Sequence, residues 1–121
     1  MRPVPDSSGH SPLQDPKVRA VIDRLQNNRR PPQRSGTGPG HLIYLLCRGM
    51  GARRVVDFAT SVGMSALYFA AAMRDNGGGH VIGAEIVPKK IDTARRNPTD
   101  AGLDGFVDIR AGDARETLRD L

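Results

Sequence analysis

The spacing of apolar positions changes along the chain, from a helical period near the start to alternating strands and helices. Between Val18 and Leu25, apolar residues recur at i, i+3, i+4 and i+7. This spacing predicts an amphipathic helix over about residues 16–28. Asp15 followed by Pro16 is typical of a helix start, because aspartate caps free N–H groups and proline suits the first helical position.

A second helix is predicted over about residues 40–50, on a broad apolar face. The residues of that face are Leu42, Ile43, Leu45 and Leu46. Residues 29–40 contain prolines and glycines that do not continue a helix, so they predict a linker or loop. Residues 1–14 are rich in Pro, Ser and Gly and are expected to be disordered. We therefore divide the chain into residues 1–14, 15–39 and a domain at 40–121.

From residue 52 onward, short β-branched runs alternate with helical patterns. The predicted strands are 53–58, 80–84 and 106–110, and the predicted helices are 63–74, 88–101 and 114–121. Alternation at this spacing indicates parallel strands joined by right-handed helical crossovers. The chain is therefore predicted to be an α/β protein with a partial parallel sheet of about three strands, preceded by N-terminal helices.

Candidate binding residues follow each predicted strand, because ligands of parallel sheets bind beyond the carboxyl ends of the strands. These residues are Asp57, Ala59, Thr60, Ser61, Gly63 and Ser65 after the first strand, Glu85 after the second, and Gly112, Asp113 and Ala114 after the third. Small residues let a ligand approach the backbone, and a helix N-terminus offers free N–H groups. A carboxylate after the second strand can accept hydrogen bonds from both hydroxyls of a ribose.

A structural role is the alternative for each of these residues taken alone. Asp113 has the position of a helix N-cap, and Glu116 three residues later would complete a capping box. Thr60 or Ser61 could likewise cap the helix at 63–74. All three groups in the right order and spacing are less expected by chance than any one of them.

Charge and composition bear on three possible classes: a nucleic-acid-binding protein, a disulfide-bonded protein and a membrane or secreted protein. The chain has 121 residues, 18 Lys and Arg against 13 Asp and Glu, and a net charge of +5. A basic nucleic-acid-binding protein is one hypothesis, but the arginines are spread out and no aromatic residues alternate with them. The single cysteine, Cys47, excludes an internal disulfide and is expected to be buried. No run is apolar enough for a membrane span or a signal peptide, so a cytoplasmic protein is expected.

Taken together, residues 38–121 resemble the front half of class I S-adenosylmethionine-dependent methyltransferases, and most closely the small O-methyltransferases of the catechol and caffeoyl-CoA type. The family's acidic residue and Gly-x-x-x-Gly-x-Ser loop fall on Asp57, Ala59, Gly63 and Ser65. The resemblance implies a Rossmann-like fold and S-adenosylmethionine as cofactor. It also implies that Glu85 binds the ribose and that Gly112, Asp113 and Ala114 lie beside the adenine. A dinucleotide-binding site fits less well, because G-x-G-x-x-G is absent.

Two residues depart from the family pattern. Ala59 replaces a glycine, and if the turn requires positive φ this costs on the order of 1 kcal/mol and weakens cofactor binding. Pro98 lies inside the predicted helix at 88–101. It removes a helical hydrogen bond and is expected to cost about 3 kcal/mol unless the helix breaks at Asn97.

The resemblance also implies a larger sheet than this chain provides. Family members have seven strands, and the fourth pairs with the first. The residues that bind the divalent metal and act as base lie on and after that fourth strand, so no catalytic residue and no metal ligand can be assigned here. The first strand is therefore expected to be an exposed edge, which favours a homodimer or a poorly soluble monomer.

Three functional hypotheses follow. The chain is a methyltransferase that modifies a hydroxyl of a small molecule, or a cofactor-binding remnant without catalysis. The third hypothesis, a small nucleic-acid-binding protein, depends on net charge alone.

Overall fold

The computed structural model describes residues 13–27 and 37–121 of the chain. Its elements are α1 (Pro16–Asn27), α2 (Thr37–Met50), β1 (Arg54–Asp57), α3 (Met64–Asp75), β2 (His80–Glu85), α4 (Pro88–Asp100), β3 (Val107–Ala111) and α5 (Ala114–Thr117). Most of the segment predicted to be disordered, and most of the predicted linker, lie outside the described residues. Leu13 is described and is buried in the core, so disorder does not extend to it.

The three strands form one parallel sheet in the order β1-β2-β3, which confirms the predicted architecture. Val81 of β2 aligns with Val55 on one side and Val107 on the other. The carboxyl ends of all three strands therefore lie at the same edge of the sheet. The loops that follow them are brought together there, as expected for parallel strands.

The core is centred on α3, whose alanines allow neighbouring elements to pack closely. Ala66, Ala70 and Ala71 are completely buried, together with Leu67. Side chains of α1, α2 and β2 belong to the same apolar cluster; they are Val18, Val21, Ile22, Tyr44, Cys47 and Val81. The N-terminal helices therefore share one core with the residues after position 40. Cys47 is buried, as predicted.

Helix α2 differs from its prediction in both its start and its orientation. It begins at Thr37, since proline is tolerated in the first turn of a helix. Gly40 lies against the ring of Tyr68, where a Cβ atom would be 2.1 Å from a ring carbon. Of the four residues of the predicted apolar face, Ile43 packs against the core. The three leucines are more than half exposed, whereas Tyr44 and Cys47 are buried. The exposed leucines are Leu42, Leu45 and Leu46.

Helix α4 continues through Pro98 to Asp100 without a break at Asn97, which agrees with the predicted helix at 88–101. Asn97 and Pro98 are both buried, together with Ala94. Burial of this side of the helix offsets the hydrogen bond that proline cannot donate. The peptide after Pro98 is also held, because the Leu103 N–H donates to the Pro98 carbonyl at 2.7 Å.

The third predicted helix of the α/β region is shorter than its apolar spacing indicates. Helix α5 ends at Thr117 instead of Leu121. Nη1 of Arg110 donates to the Thr117 carbonyl at 2.6 Å and to the Asp120 carboxylate at 2.7 Å. A side chain from β3 therefore holds the last turn of α5. Leu121 is 43% exposed and has no core to join among the described residues.

Candidate functional site

The corner after β1 begins with a hydrogen bond between two of the predicted residues. The hydroxyl of Ser65, in the first turn of α3, donates to Asp57 Oδ2 at 2.9 Å. Burial raises the pKa of Asp57, and this hydrogen bond partly offsets the effect. The pair joins the end of β1 to the start of α3, so it fixes both ends of the intervening loop.

The loop between them alternates residues of positive φ. Ala59 and Ser61 both have φ of 57°, and Gly63 has φ of 89°. The left-handed region costs a non-glycine residue about 1–2 kcal/mol, and such strain persists only when surrounding contacts impose it. A glycine at position 59, as in the family pattern, would adopt this conformation without the strain that Ala59 carries. Gly63 has a second requirement, because a Cβ atom there would lie 3.3 Å from Cα of Ala94.

The carboxylate of Glu85 is one of the contacts that hold the loop conformation. Its Oε1 accepts a hydrogen bond from the Ser61 N–H at 2.7 Å. Its Oε2 accepts from the Ile86 and Val87 N–H groups at 2.9 and 3.0 Å. The Val87 hydrogen bond is the largest influence on its pKa, which these three donors lower against the opposing effect of burial. Glu85 is thus a buried carboxylate that joins β2 to the loop after β1.

Thr60 fixes the middle of the same loop against β2. Its N–H donates to the Ala84 carbonyl at 2.9 Å, and its hydroxyl donates to the Asp57 carbonyl at 3.0 Å. The side chain lies over Gly83, where a Cβ atom would be 2.3 Å from the Thr60 hydroxyl oxygen. Glycine at position 83 therefore makes the space that the buried threonine occupies.

The corner after β3 is held by more local contacts. The Gly112 N–H donates to the Glu85 carbonyl at 2.9 Å, which extends the pairing of β2 and β3. Asp113 caps α5 by accepting from the Arg115 N–H at 2.9 Å. The Arg115 guanidinium also bonds this carboxylate and lowers the pKa of Asp113 to about 2. Asp113 therefore has partners within two residues of itself.

These corners enclose a cleft of about 300 Å³ at the carboxyl ends of the strands. Of the predicted residues, Ala59, Glu85, Gly112, Asp113 and Ala114 line it. Asp57, Thr60, Ser61, Gly63 and Ser65 do not line it and instead shape the loop behind it.

Sequence reasoning missed four cleft residues that neighbour predicted ones. They are Phe58, Ala84, Ile86 and Arg115. Phe58 follows β1 and Ile86 follows β2, and each is more than 60% exposed. The sequence does contain a signal for these two residues, since each is a large apolar residue directly after the acidic residue that ends its strand. Such a side chain lies beyond the sheet and can pack against a flat ligand.

The capping alternatives have different outcomes at the two corners. Asp113 is an N-cap, as that alternative predicts, and its bond is to the Arg115 N–H. Helix α3 has Gly63 at its N-cap and no side-chain cap, so Thr60 and Ser61 do not cap it. The residues after β1 are held by tertiary contacts instead.

Two kinds of feature are absent from the described part of the chain. No three His, Cys, Asp or Glu side chains in residues 13–27 and 37–121 come together in a way that could hold a metal ion. In the same residues, no helix is long and apolar enough to span a membrane.

Comparison with known proteins agrees with the geometry of the cleft. The sequence model of the O-methyltransferase family matches residues 11–121. A catechol O-methyltransferase from Niastella koreensis is 29% identical over 108 residues, which are 89% of this chain and 48% of that protein. A catechol O-methyltransferase from Mycobacterium tuberculosis is also 29% identical, over 88% of this chain and 48% of its own length. The chain thus spans about half the length of these relatives.

A solved structure has the same arrangement of strands and helices. The O-methyltransferase from Bacillus cereus, crystallised in complex with SAH, superimposes with a TM-score of 0.75 and 26% identity. The match covers 93% of this chain and 50% of that one. The partial Rossmann-like sheet therefore corresponds to about half of a larger methyltransferase domain.

Proposed function

The chain belongs to the O-methyltransferase family, and we propose that its cleft binds S-adenosylmethionine for methyl transfer to a hydroxyl group of a small molecule. The observation that carries this proposal is the convergence of Glu85 and the Gly112-Asp113-Ala114 turn on one cleft. These residues come from two strand ends and match two separate motifs of the family. The relatives named above carry methyltransferase names, and one was crystallised with SAH.

The residues that line the cleft fit the parts of this cofactor. A carboxylate oxygen can accept two hydrogen bonds, and Oε1 of Glu85 accepts only the one from Ser61 among the bonds of the described residues. One acceptor position therefore remains for a ribose hydroxyl. Gly112, with φ of 127°, brings the backbone close on the other side, where an adenine ring would lie beside Ala114. Phe58 and Ile86 supply apolar surface for that ring.

When bound, S-adenosylmethionine would supply an activated methyl group on a positively charged sulfur. The residues of this chain would bind and orient it, because alignment of the reacting atoms is the main requirement of such a displacement. No described residue is assigned as the base that accepts the proton of the hydroxyl. We therefore assign cofactor binding to this chain and methyl transfer to a domain of the length that the relatives have.

Calorimetric titration of the 121-residue chain with S-adenosylmethionine tests the proposal. We expect saturable binding that is lost when Ala114→Leu fills the cleft. Ala111→Leu is the matched control, since Ala111 is exposed and lies outside the cleft. Absence of binding by the folded wild-type chain, or equal binding by both variants, would contradict the proposal and favour a remnant without cofactor.

A methyl-transfer assay separates the two remaining hypotheses. The chain is supplied with S-adenosylmethionine and a catechol, and the methylated product is measured by mass spectrometry. We expect cofactor binding without turnover. Turnover that is lost in Ala114→Leu would instead assign catalysis to this length of chain.

We also propose that two copies associate through the outer edge of β1. This edge is unpaired in the described sheet, and Val56 and Phe58 beside it are 47% and 68% exposed. The opposite edge is partly covered, because Arg95 donates to the Ile109 carbonyl of β3 at 2.8 Å. A strand edge can pair with its own copy across a two-fold axis.

Sedimentation velocity tests this association. We expect a dimer for the wild-type chain and a monomer for Val56→Lys, because a lysine on an edge strand opposes pairing. A wild-type monomer at high concentration would contradict the proposal. A cytoplasmic location stays a prediction from sequence, and cell fractionation would test it.

A further inference from the structure

The buried amide of Asn97 connects the first helix of the chain to the loop that precedes α3. Its side chain is only 2% exposed. The amide nitrogen donates to the Val62 carbonyl at 2.7 Å. The amide oxygen accepts from Nη2 of Arg24, on α1, at 2.9 Å. One side chain of α4 therefore contacts two segments that are 38 positions apart in sequence.

The chemistry of the two partners fixes the orientation of the amide. A carbonyl only accepts hydrogen bonds and a guanidinium only donates them, so the reversed amide would face a like group on both sides. A buried polar group that loses its partner costs far more than an exposed one. The contact with Arg24 therefore favours the orientation in which Asn97 holds the loop.

Asn97 holds the part of the loop that leads into α3. Glu85 and Ala84 hold Ser61 and Thr60 in the middle of the loop, as described above. Directly after them, Val62 is held by Asn97, and Gly63 lies against Ala94 of the same helix. Displacement of α4 would therefore move the end of a loop that already contains two strained residues.

Arg24 has a second partner that permits a clean control. Its Nη2 also forms an ion pair with Asp100 Oδ2 at 3.1 Å, and both side chains are more than one-third exposed. An ion pair at such exposure contributes little to stability. The buried hydrogen bond to Asn97 and the exposed ion pair to Asp100 can thus be removed separately.

We propose that α1 positions the loop after β1 through Arg24 and Asn97, so that cofactor affinity depends on the docking of α1. The inference rests on the proposed function for its effect on binding, but not for its effect on the loop. Arg24 and Asn97 are positioning residues, since they lie outside the cleft. Any ligand or partner that displaced α1 would weaken cofactor binding through this connection.

Amide hydrogen exchange and cofactor titration of Arg24→Met test the connection. The variant keeps an unbranched side chain of similar length and removes the guanidinium. We expect faster exchange of the Ser61 and Gly63 amides and roughly fivefold weaker binding of S-adenosylmethionine, the factor expected for one lost hydrogen bond. Arg24→Lys retains a donor and is expected to restore most of both properties.

Asp100→Ala is the matched control, and it should change affinity by less than about twofold because only an exposed ion pair is lost. Asn97→Asp keeps the acceptor for Arg24 but removes the donor to Val62, so it should accelerate the same amides. Wild-type exchange at Ser61 and Gly63 in Arg24→Met would overturn the inference, as would equal effects of Arg24→Met and Asp100→Ala. If the wild-type chain binds no cofactor, the proposed function fails, and the exchange rates still decide this inference.

Discussion

The corners after β1 and β3 are built in different ways although both line the same cleft. The first is held by contacts from distant parts of the chain, namely Glu85 of β2 and Asn97 of α4. The other is held largely by neighbours, since Asp113 caps its own helix and pairs with Arg115 two residues later. The first corner also contains strained backbone at Ala59 and Ser61.

The difference shows how strain and tertiary contacts go together in this domain. A left-handed alanine or serine is retained only where other groups compensate for its cost. In the loop after β1, Glu85 accepts from the Ser61 N–H, and the Thr60 N–H donates to the Ala84 carbonyl. The corner after β3 needs no such compensation, because glycine provides its positive φ at Gly112. A substitution at the corner after β1 should therefore change the stability of distant segments. A substitution at the corner after β3 should change only its immediate neighbours.

The largest expected effect is that of Glu85→Ala. It removes the proposed ribose acceptor and also leaves the Ser61, Ile86 and Val87 N–H groups without their partner. Leaving partly buried donors unpaired should lower the free energy of unfolding by about 3 kcal/mol, measured by urea denaturation. Glu116→Ala, at an exposed acidic residue, is the control and should change little. An unchanged midpoint in Glu85→Ala would contradict the assigned contacts. Because this variant alters the fold, it cannot by itself test cofactor binding.

Acid should remove the same stabilisation. The pKa of Glu85 is lowered from its ordinary value of 4.5 by the N–H donors, foremost Val87. The folded pKa is thus below the unfolded one, so the stabilisation is fully present above pH 4.5 and is lost as pH falls through the folded value.

The difference in unfolding free energy between wild type and Glu85→Gln separates the contribution of Glu85 from those of the other acidic residues. Asp57 acts in the opposite direction because burial raises its pKa, and its effect cancels in the difference. We expect the difference to shrink steadily below pH 4.5. A difference that grew on acidification would reverse the sign and refute the lowered pKa.

A smaller, stabilising effect is expected for Ala59→Gly. Relief of the left-handed conformation is partly offset by the greater freedom of glycine in the unfolded chain, so the net gain should be about 0.5 to 1 kcal/mol. The missing methyl also widens the cleft, and cofactor should bind more tightly. Thermal unfolding and calorimetric titration measure the two effects. Ala111→Gly, at the end of β3, serves as control and should destabilise. A loss of stability in Ala59→Gly would mean that the strain at this position is not relieved by glycine.

The smallest effect is expected for Arg115→Ala, at the corner after β3. The pair with Asp113 is at the surface, and exposed ion pairs add little to stability. The denaturation midpoint should match wild type, while the pKa of Asp113 should rise from about 2 toward 3.8. NMR titration of the carboxyl measures that rise. A large loss of stability would show that the two corners are not as different as their contacts indicate.

The periodicity of the sequence was sufficient to predict the order of elements and the parallel sheet. The three strands were located within two residues, because β-branched runs bounded by glycine and proline are local signals. Errors arose where a distant contact decided the result. Packing of α2 buries Tyr44 and Cys47 and leaves the leucines of its predicted apolar face exposed.

The sequence by itself determined which residues follow each strand, since chain order and strand spacing already place Glu85 and the Gly112-Asp113-Ala114 turn at the same side of a parallel sheet. Only the tertiary structure decided what those residues contact. The bonds from Glu85 to Ser61 and from Asn97 to Val62 span 24 and 35 positions. No local pattern encodes such pairs, because they depend on how helices pack against the sheet. Ala59 illustrates both contributions. The sequence shows that alanine replaces the glycine of the family pattern, and the folded loop places that alanine at positive φ.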